Sequence, residues 1–414
     1  KPLMRILFLT NFYPPASRGG YEQWCQEVGD GLRARGHEVT ILTSAHERDN
    51  LKSPDPRWVR RELRLEMELA SLKNAVWFFT RRKTREQENL ALLRETVRDW
   101  NPDIILIWGM WNLPRSLPAL AESLMPERTV YYMGDYWPTL PSQHENYWNA
   151  SPRSFLTGLP KLFLKPIARS VLLREEKPRL QLRRILFPSE FMRKEFEQLG
   201  IVSSEGRVIY GAVDTTPYLA DERTPRTNTV VSLLFIGRLT YEKGVHTAIE
   251  AVTHLVRKNR ITNLSLTIVG DGEPDYVNSL HRMVDRNSLA SFVTFLPAQP
   301  KDALPALYRQ SDIFLFTSIW QEPFGRVIVE AMASGLAVVG TAVGGAAEML
   351  IHDENSLVFD AGDSTSLARA LQRLIESPDL RDTLGTAGRE TARNKFDLQR
   401  MIEEIEGYIR SLIH

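Results

Sequence analysis

The sequence predicts an α/β protein built from two doubly wound parallel-sheet domains facing a cleft. Three observations lead there. The chain is 414 residues long, more than one ordinary hydrophobic core accommodates. Short β-branched or leucine-rich runs alternate with helical stretches along it, the pattern of Rossmann-like sheets covered on both faces. The alternation breaks once, at the polar stretch 221–228 (DERTPRTN), which suits a linker.

In the first half the strand-like runs are 5–10, 38–43, 104–108, 129–133, 184–188 and 207–210. In the second they are 230–236, 265–269, 292–296, 313–316, 336–340 and 356–359. The tail carries Leu398, Met401, Ile402, Ile405, Tyr408, Ile409 and Leu412 at helical spacing. The expected organisation is therefore a domain over 1–216, a second over 217–395 and a terminal amphipathic helix over 396–414.

With 43% hydrophobic and 25% charged residues the composition is that of a soluble globular protein. A formal net charge of +1 does not argue for nucleic acid or a strongly acidic partner. The single cysteine, Cys25, excludes an intramolecular disulfide and a thiolate zinc cluster, fits a reducing compartment, and reads as buried filler. No uncharged apolar run approaches ~18 residues, so no transmembrane helix is expected. The opening strand pattern meets Pro14 too soon for a signal peptide, which predicts a cytoplasmic protein. Dinucleotide G-x-G-x-x-G, phosphate-binding G-x-x-x-x-G-K-[ST] and metal-binding D-x-D patterns are missing from the sequence. Nicotinamide chemistry and P-loop hydrolysis are not expected.

In open sheets ligands sit beyond the carboxyl ends of the strands, where loops enter helices. The run 230–236 leads into Gly237-Arg238-Leu239-Thr240-Tyr241-Glu242-Lys243-Gly244. Two cations and flanking glycines suit a diphosphate, although a solvated loop with two unrelated charges explains the spacing equally well. Gly270-Asp271-Gly272-Glu273 ends the next run and by itself reads as a tight turn.

The stretch 318–340, SIWQEPFGRVIVEAMASGLAVVG, is mostly apolar yet holds Glu322 and Glu330. Pro323 suits the first turn of a helix beginning near Phe324, and Gly325 lacks the side chain that would keep a ligand from the backbone. First-turn amides and the helix dipole then form an anion site. Glu322 stands at its mouth and Glu330 about two turns inside, where a carboxylate suits a ribose diol; the alternative is an exposed position on a half-buried helix. In the first half, Gly19-Gly20 precede a helix and allow close approach of phosphate or sugar, or a plain turn.

Taken together, these elements resemble glycosyltransferase family 4, retaining nucleotide-sugar enzymes of the GT-B architecture. The resemblance rests on an ordered set: Tyr13-Pro14-Pro15, Gly19-Gly20 and 35–39 (RGHEV) in the first half. In the second it rests on Gly237-Arg238-Leu239, Glu242-Lys243-Gly244, Gly270-Asp271-Gly272, Glu322-Pro323-Phe324-Gly325, Glu330 and Gly344-Gly345 with Glu348. Glu322 and Glu330 are similar to the family's pair of glutamates separated by seven residues.

By that resemblance Arg238 and Lys243 hold the donor diphosphate, with Gly19 and Gly20 approaching from the first domain and the backbone of Gly325, Arg326 and Val327 adding donors. Glu322, Pro323, Phe324 and Gly325 hold the transferred sugar. Glu330 binds ribose, and Leu296, Pro297 and Ala298 take the base. The terminal helix crosses back to the first domain. Glu322, Arg238, Lys243 and Asp135 form the catalytic set, with no cofactor, no metal ion and transfer with retention. Many members place a His-Asp pair near the donor sugar after the strand that corresponds to 129–133, whereas this chain reads Met133-Gly134-Asp135; the histidine's role is vacant or taken by a backbone group.

Two stretches, 57–87 and 153–184, mix basic residues with aromatic and aliphatic ones, and the second carries nine Lys or Arg. They suit either peripheral contact with the inner face of the plasma membrane or helices covering an acceptor. Nucleic acid is not expected as a partner, because the cations accompany aliphatic residues instead of a stacking platform. The resemblance implies transfer of a hexose, with UDP-glucose the expected donor, to a saccharide or lipid-linked saccharide in polysaccharide or glycolipid assembly. The alternatives are a nucleotide-sugar epimerase of the same architecture and a catalytically silent nucleotide-sugar binding subunit.

Overall fold

The computed structural model describes residues 3–16, 19–51, 53–69, 73–151, 155–219 and 230–413, leaving aside the side chains of 155–160. The expected linker, 221–228, lies outside the described residues, as do Ser17 and Arg18 of the first loop. The chain forms two compact units: Lys1–Phe187 with Arg193–Ile209 and Ile402–His414, and Pro188–Met192 with Tyr210–Met401. These divisions differ from boundaries at 216/217 and 395/396. Composition marks where a chain changes character, whereas packing assigns 188–192 and 210–216 to the second unit and divides the terminal helix at 401/402.

The first unit contains strands β1 (Arg5–Leu9), β2 (Glu38–Ser44), β3 (Val59–Leu63), β4 (Ile104–Ile107), β5 (Thr129–Tyr132), β6 (Ile185–Phe187) and β7 (Arg207–Val208). They form one sheet in the order β3-β2-β1-β4-β5-β6-β7. The second unit contains β8 (Val231–Ile236), β9 (Leu264–Val269), β10 (Val293–Leu296), β11 (Ile313–Phe316), β12 (Ala337–Gly340) and β13 (Leu357–Val358), in the order β10-β9-β8-β11-β12-β13. Every pairing is parallel; Ile6 stands opposite both Val39 and Ile104, and Leu233 opposite Ile313. A parallel strand covered on both faces has no solvent side, so β4 and β11 are buried throughout. This explains why such strands read as continuous apolar runs.

Strand β3 is the exception and escaped the sequence reading. In its run Val59-Arg60-Arg61-Glu62-Leu63 the charges hide the alternation. Arg61 points inward, where Asp55 at 2.8 Å and the carbonyls of Tyr13 (2.9 Å) and Pro14 (2.6 Å) satisfy its guanidinium. Leu63, Leu65, Met67 and Phe78 are likewise buried, while Trp58 lies under the Arg33 guanidinium at 3.5 Å and Trp77 under Arg85 at 4.4 Å. Of the described apolar residues over 57–87, Val59, Leu63, Leu65, Met67 and Phe78 are core, Trp58, Leu69, Ala75 and Trp77 are half-buried, and Val76 and Phe79 are exposed. Among the described residues no helix is long and apolar enough to cross a membrane.

The terminal helix spans Leu398–Ser411. In the first unit Ile402, Ile405 and Ile409 are fully buried, and Gly31 of the helix Gly20–Ala34 faces Ile402. Glu406, on the same helix, accepts from Arg35 at 2.9 Å and Arg410 at 2.7 Å and lies 3.3 Å from His37. Burial opposes its charge, but hydrogen bonds from Arg410, Arg35 and His37 prevail and hold its pKa at about 2. A carboxylate depressed on folding adds stability above its ordinary pKa and loses it as pH falls. Glu406→Gln should therefore lower the unfolding temperature at pH 7, and the deficit against the parent should shrink as thermal melts descend from pH 4 towards 2.

Candidate functional site

The winding of the second sheet reverses between β8 and β11, the point where open α/β sheets take their ligands. The loops leaving these strands, 237–244 and 317–325, are joined through the carbonyls of Glu242 and Lys243. Ile319 N–H donates to Glu242 O at 2.8 Å, Thr317 Oγ1 to Lys243 O at 2.8 Å, and Ser318 Oγ to Glu242 O at 3.2 Å. Gly244 has φ +65°, and a β-carbon there would overlap the Thr317 carbonyl. This seam brings Lys243 Nζ to 2.6 Å from Glu322 Oε1, with the carboxylate side chain only 10% exposed. Arg238 stands exposed on the same β8 loop.

The Glu322 backbone rests on Gly344-Gly345. Gly345 N–H donates to Glu322 O at 2.7 Å and Gly344 N–H to Gln321 Oε1 at 2.5 Å. A β-carbon at Gly344 would stand 2.6 Å from Glu322 N, and one at Gly345 would overlap Pro323 O. Pro323 O also accepts from Ser189 Oγ at 2.7 Å, and Phe324 is buried edge-on to Phe396. Glu348, on the short turn after Gly345, accepts from the amides of Glu190 (2.9 Å) and Phe191 (2.7 Å) at the start of the helix Glu190–Gln198.

The helix bearing Glu330 runs from Arg326 to Ala333 with Gly325 as its N-cap. It starts two residues later than the sequence reading placed it, so Pro323 and Phe324 precede the helix and Glu330 lies in its second turn. At Gly325 a β-carbon would meet the Cδ1 end of the Ile328 side chain at 2.6 Å, a contact that a shift of that flexible side chain relieves. Arg326 and Val327, in the first turn, are half-buried, and the Arg326 guanidinium reaches Ala212 O at 3.4 Å. Glu330 is buried, which excludes the exposed alternative, and Tyr308 donates its hydroxyl to Oε2 at 2.9 Å. Burial first, then the Glu330 charge, pushes the Tyr308 hydroxyl well above its ordinary pKa and keeps it a donor. Tyr308 lies 22 positions from Glu330, beyond any helical or strand periodicity, so no sequence signal pointed to it.

The 270–272 segment is not the tight turn expected. It continues alongside the β8 loop: Leu239 forms a parallel bridge with Gly272, and Leu239 N–H donates to Asp271 O at 2.8 Å. β-Carbons at Gly270 and Gly272 would overlap the carbonyls of Gly237 and Leu239. Asp271 Oδ1 accepts from Ala298 N–H at 3.2 Å, and Gly270 N–H donates to Leu296 O at 3.0 Å. Leu296 is half-buried, and Pro297 and Ala298 are exposed, beside this seam.

In the first unit the winding reverses between β1 and β4. Their loops meet where Asn11 N–H donates to Gly109 O at 2.7 Å. Gly19 is the extended N-cap of the helix Gly20–Ala34, and its amide is already engaged, donating to Glu22 Oε2 at 3.0 Å. Tyr21 donates its hydroxyl to the Tyr132 carbonyl, and its ring covers Gly134, where a β-carbon would stand 2.6 Å from ring atoms. The space beside Asp135 that a histidine would need is thus filled by Tyr21. Burial pushes the Asp135 carboxyl up to about 7; the Trp137 amide at 3.4 Å opposes this and the Glu22 charge adds to it.

A cavity of about 430 Å³ lies beyond the carboxyl ends of β3, β4 and β5, lined by Arg64, Glu66, Arg85, Glu86, Arg115 and Glu145 among others. Glu66 accepts from Gln143 N–H at 2.8 Å, and burial raises its pKa to about 7. Lys177 pairs with Glu145 at 2.6 Å and Arg82 with Glu175. The 57–87 stretch thus supplies the wall of a polar cavity.

The chain divides between two family models. Glycosyltransferase Family 4 matches residues 18–217, and Glycosyl transferases group 1 matches 221–391. Glycogen synthase of Mycobacterium tuberculosis is 26% identical over 410 residues, covering 96% of this chain and 92% of that protein. Spore coat protein SA of Bacillus subtilis is 32% identical over 179 residues, a match spanning 42% of this chain and 47% of that protein. Among solved structures, Anabaena Alr3699/HepE in complex with UDP and glucose superposes with a TM-score of 0.67 at 21% identity, covering 99% of this chain and all of the other.

Two substitutions check the local accounts. Tyr308→Phe removes a buried donor from Glu330 and should cost about 1 to 3 kcal/mol of stability by denaturant unfolding. An acid raised on folding gives full stability below about pH 4 and loses it as pH rises through its folded pKa. Asp135→Asn should thus melt higher than the parent at pH 8, with the gain vanishing by pH 4. With both family models tiling its two units and the matched fold beneath them, the chain belongs to glycosyltransferase family 4, of the GT-B type.

Proposed function

We propose that the protein is a retaining hexosyltransferase that uses a nucleotide sugar, UDP-glucose by preference, and glycosylates a saccharide or lipid-linked saccharide in polysaccharide or glycolipid assembly. The observation that carries this reading is the Lys243–Glu322 ion pair at the β8/β11 reversal, beside the first turn of the helix that buries Glu330. Cations, helix amides and carboxylates are what a diphosphate, a hexose and a ribose diol require. The UDP and glucose held by the Anabaena relative support the donor class.

An ammonium carries three N–H donors, so Lys243, with its Nζ 2.6 Å from Glu322 Oε1, can serve a carboxylate and a phosphate oxygen together. In the proposed step the acceptor hydroxyl attacks the anomeric carbon on the face the diphosphate leaves. The bond to the phosphate oxygen breaks as the new glycosidic bond forms, and the hydroxyl proton passes to the departing phosphate. Arg238, Lys243 and the amides of Gly325, Arg326 and Val327 would meet the charge developing there, with no metal ion taking part. Glu322, Pro323, Phe324 and Gly325 would orient the sugar, Glu330 the ribose, and Leu296, Pro297 and Ala298 the base. Gly20 and Asp135 are the proposed ligand-binding residues of the first unit, where the polar cavity beyond β3–β5 is the proposed acceptor site.

A thermal-shift panel of UDP-, GDP- and ADP-sugars should show the largest rise with UDP-glucose, since a ligand stabilises the fold that binds it. UDP release with acceptor above the hydrolysis rate establishes transfer; UDP binding without release under all acceptors would favour a silent binding subunit. Lys243→Ala should weaken UDP binding, and unchanged affinity in calorimetry would remove it from the diphosphate site. Glu330→Gln should lose about 1 to 3 kcal/mol of UDP affinity while leaving inorganic diphosphate unaffected; equal losses for both would contradict the ribose role.

A further inference from the structure

The helix Phe155–Arg174 has two apolar faces, and the fold uses one. Its inner face sets Leu164, Ala168, Val171 and Leu172 against Phe78 and Trp148. On the other side Leu162, Phe163, Ile167 and Leu173 are 57%, 78%, 55% and 86% exposed. These four recur at helical spacing within about half a turn of one another, so they form one stripe. The neighbouring helix Asn74–Thr80, anchored in the same cluster through Phe78, also leaves Val76 and Phe79 exposed.

Charge selects the occupant. The helix carries Lys161, Lys165, Arg169 and Arg174 and no carboxylate. Lys161 turns inward and donates to Ala150 O at 2.9 Å. Lys165 and Arg169 follow one edge of the exposed stripe and Arg174 lies within it, by helical rotation. A second copy of the helix would set like charges against like. An anionic lipid surface accepts both components, because the aliphatic side chains enter the headgroup boundary while cations remain at phosphate level.

We propose that the outer stripe of the helix Phe155–Arg174 docks the first unit on an anionic bilayer surface. This stands apart from the donor chemistry, since none of these residues is assigned a role in it. The test is co-sedimentation of the full chain with vesicles of phosphatidylcholine alone or mixed with phosphatidylglycerol, using Phe163→Ser/Leu173→Ser and Lys165→Glu/Arg169→Glu variants. Phe163, Arg169 and Leu173 are exposed and Lys165 is half-buried, and Arg169 gives up its exposed hydrogen bonding to Asn149 Oδ1, the shorter contact at 2.7 Å, so folding should persist, with UDP affinity unchanged and thermal melts lowered by no more than the loss of that bonding. The parent should partition onto the mixed vesicles, and each variant should bind them at least about tenfold more weakly. Added salt should weaken the parent's binding. Partitioning that is lacking in the parent, equal in the variants, or equal on both lipids would overturn the proposal. So would lipid-free dimerisation, in sedimentation velocity, that Phe163→Ser/Leu173→Ser abolishes, since the stripe would then be a self-interface.

Discussion

The second unit depends on backbone lying directly against backbone at the carboxyl edge of its sheet. Gly244 meets the Thr317 carbonyl, Gly270 and Gly272 meet those of Gly237 and Leu239, and Gly344 and Gly345 meet the chain at Glu322 and Pro323. At each of these places a β-carbon would overlap a main-chain atom that cannot swing aside, so the side-chain-free residue is a packing requirement. With the loops held at this spacing, Lys243 and Glu322, 79 positions apart in the chain, come within 2.6 Å. The pair is a consequence of the seam.

Buried charge is handled in opposite ways by the carboxylates of this fold. Glu330 has the Tyr308 hydroxyl, Glu348 has two helix amides, and Glu406 has Arg35, His37 and Arg410. Each supplies compensation for desolvation, and for Glu406 the donors lower the pKa outright. Asp135 and Glu66 each have a single backbone amide donor beside them, and burial raises both to about 7. Both stand beyond the carboxyl ends of first-unit strands, where a carboxyl that changes charge near neutrality is available to polar ligands.

The same unit shows how one substitution is absorbed locally. Tyr21 lays its ring over Gly134 and ties its hydroxyl to Tyr132, so the glycine beside Asp135 is matched by an aromatic ring from the first helix. Further out, the 57–87 stretch supplies β3, core and cavity wall and leaves Val76 and Phe79 exposed, whereas the helix Phe155–Arg174 keeps a whole apolar face outward. Composition alone made these stretches look alike.

By itself the sequence determined the parallel α/β class, twelve of the thirteen strands among the described residues to within a few residues, and the loops 237–244 and 318–325 as the places to seek chemistry. Continuous apolar runs and glycine-bearing loops carry that information locally, because period and turn chemistry act over neighbouring residues. Strand β3 was lost because its inward Arg61 is neutralised by Asp55 and carbonyls that only folding supplies. The tertiary structure alone decided that Gly19 spends its amide on Glu22 and that Tyr308 donates its hydroxyl to Glu330. Each of these turns on which atoms meet across the fold, and such contacts have no period along a chain for a sequence to display.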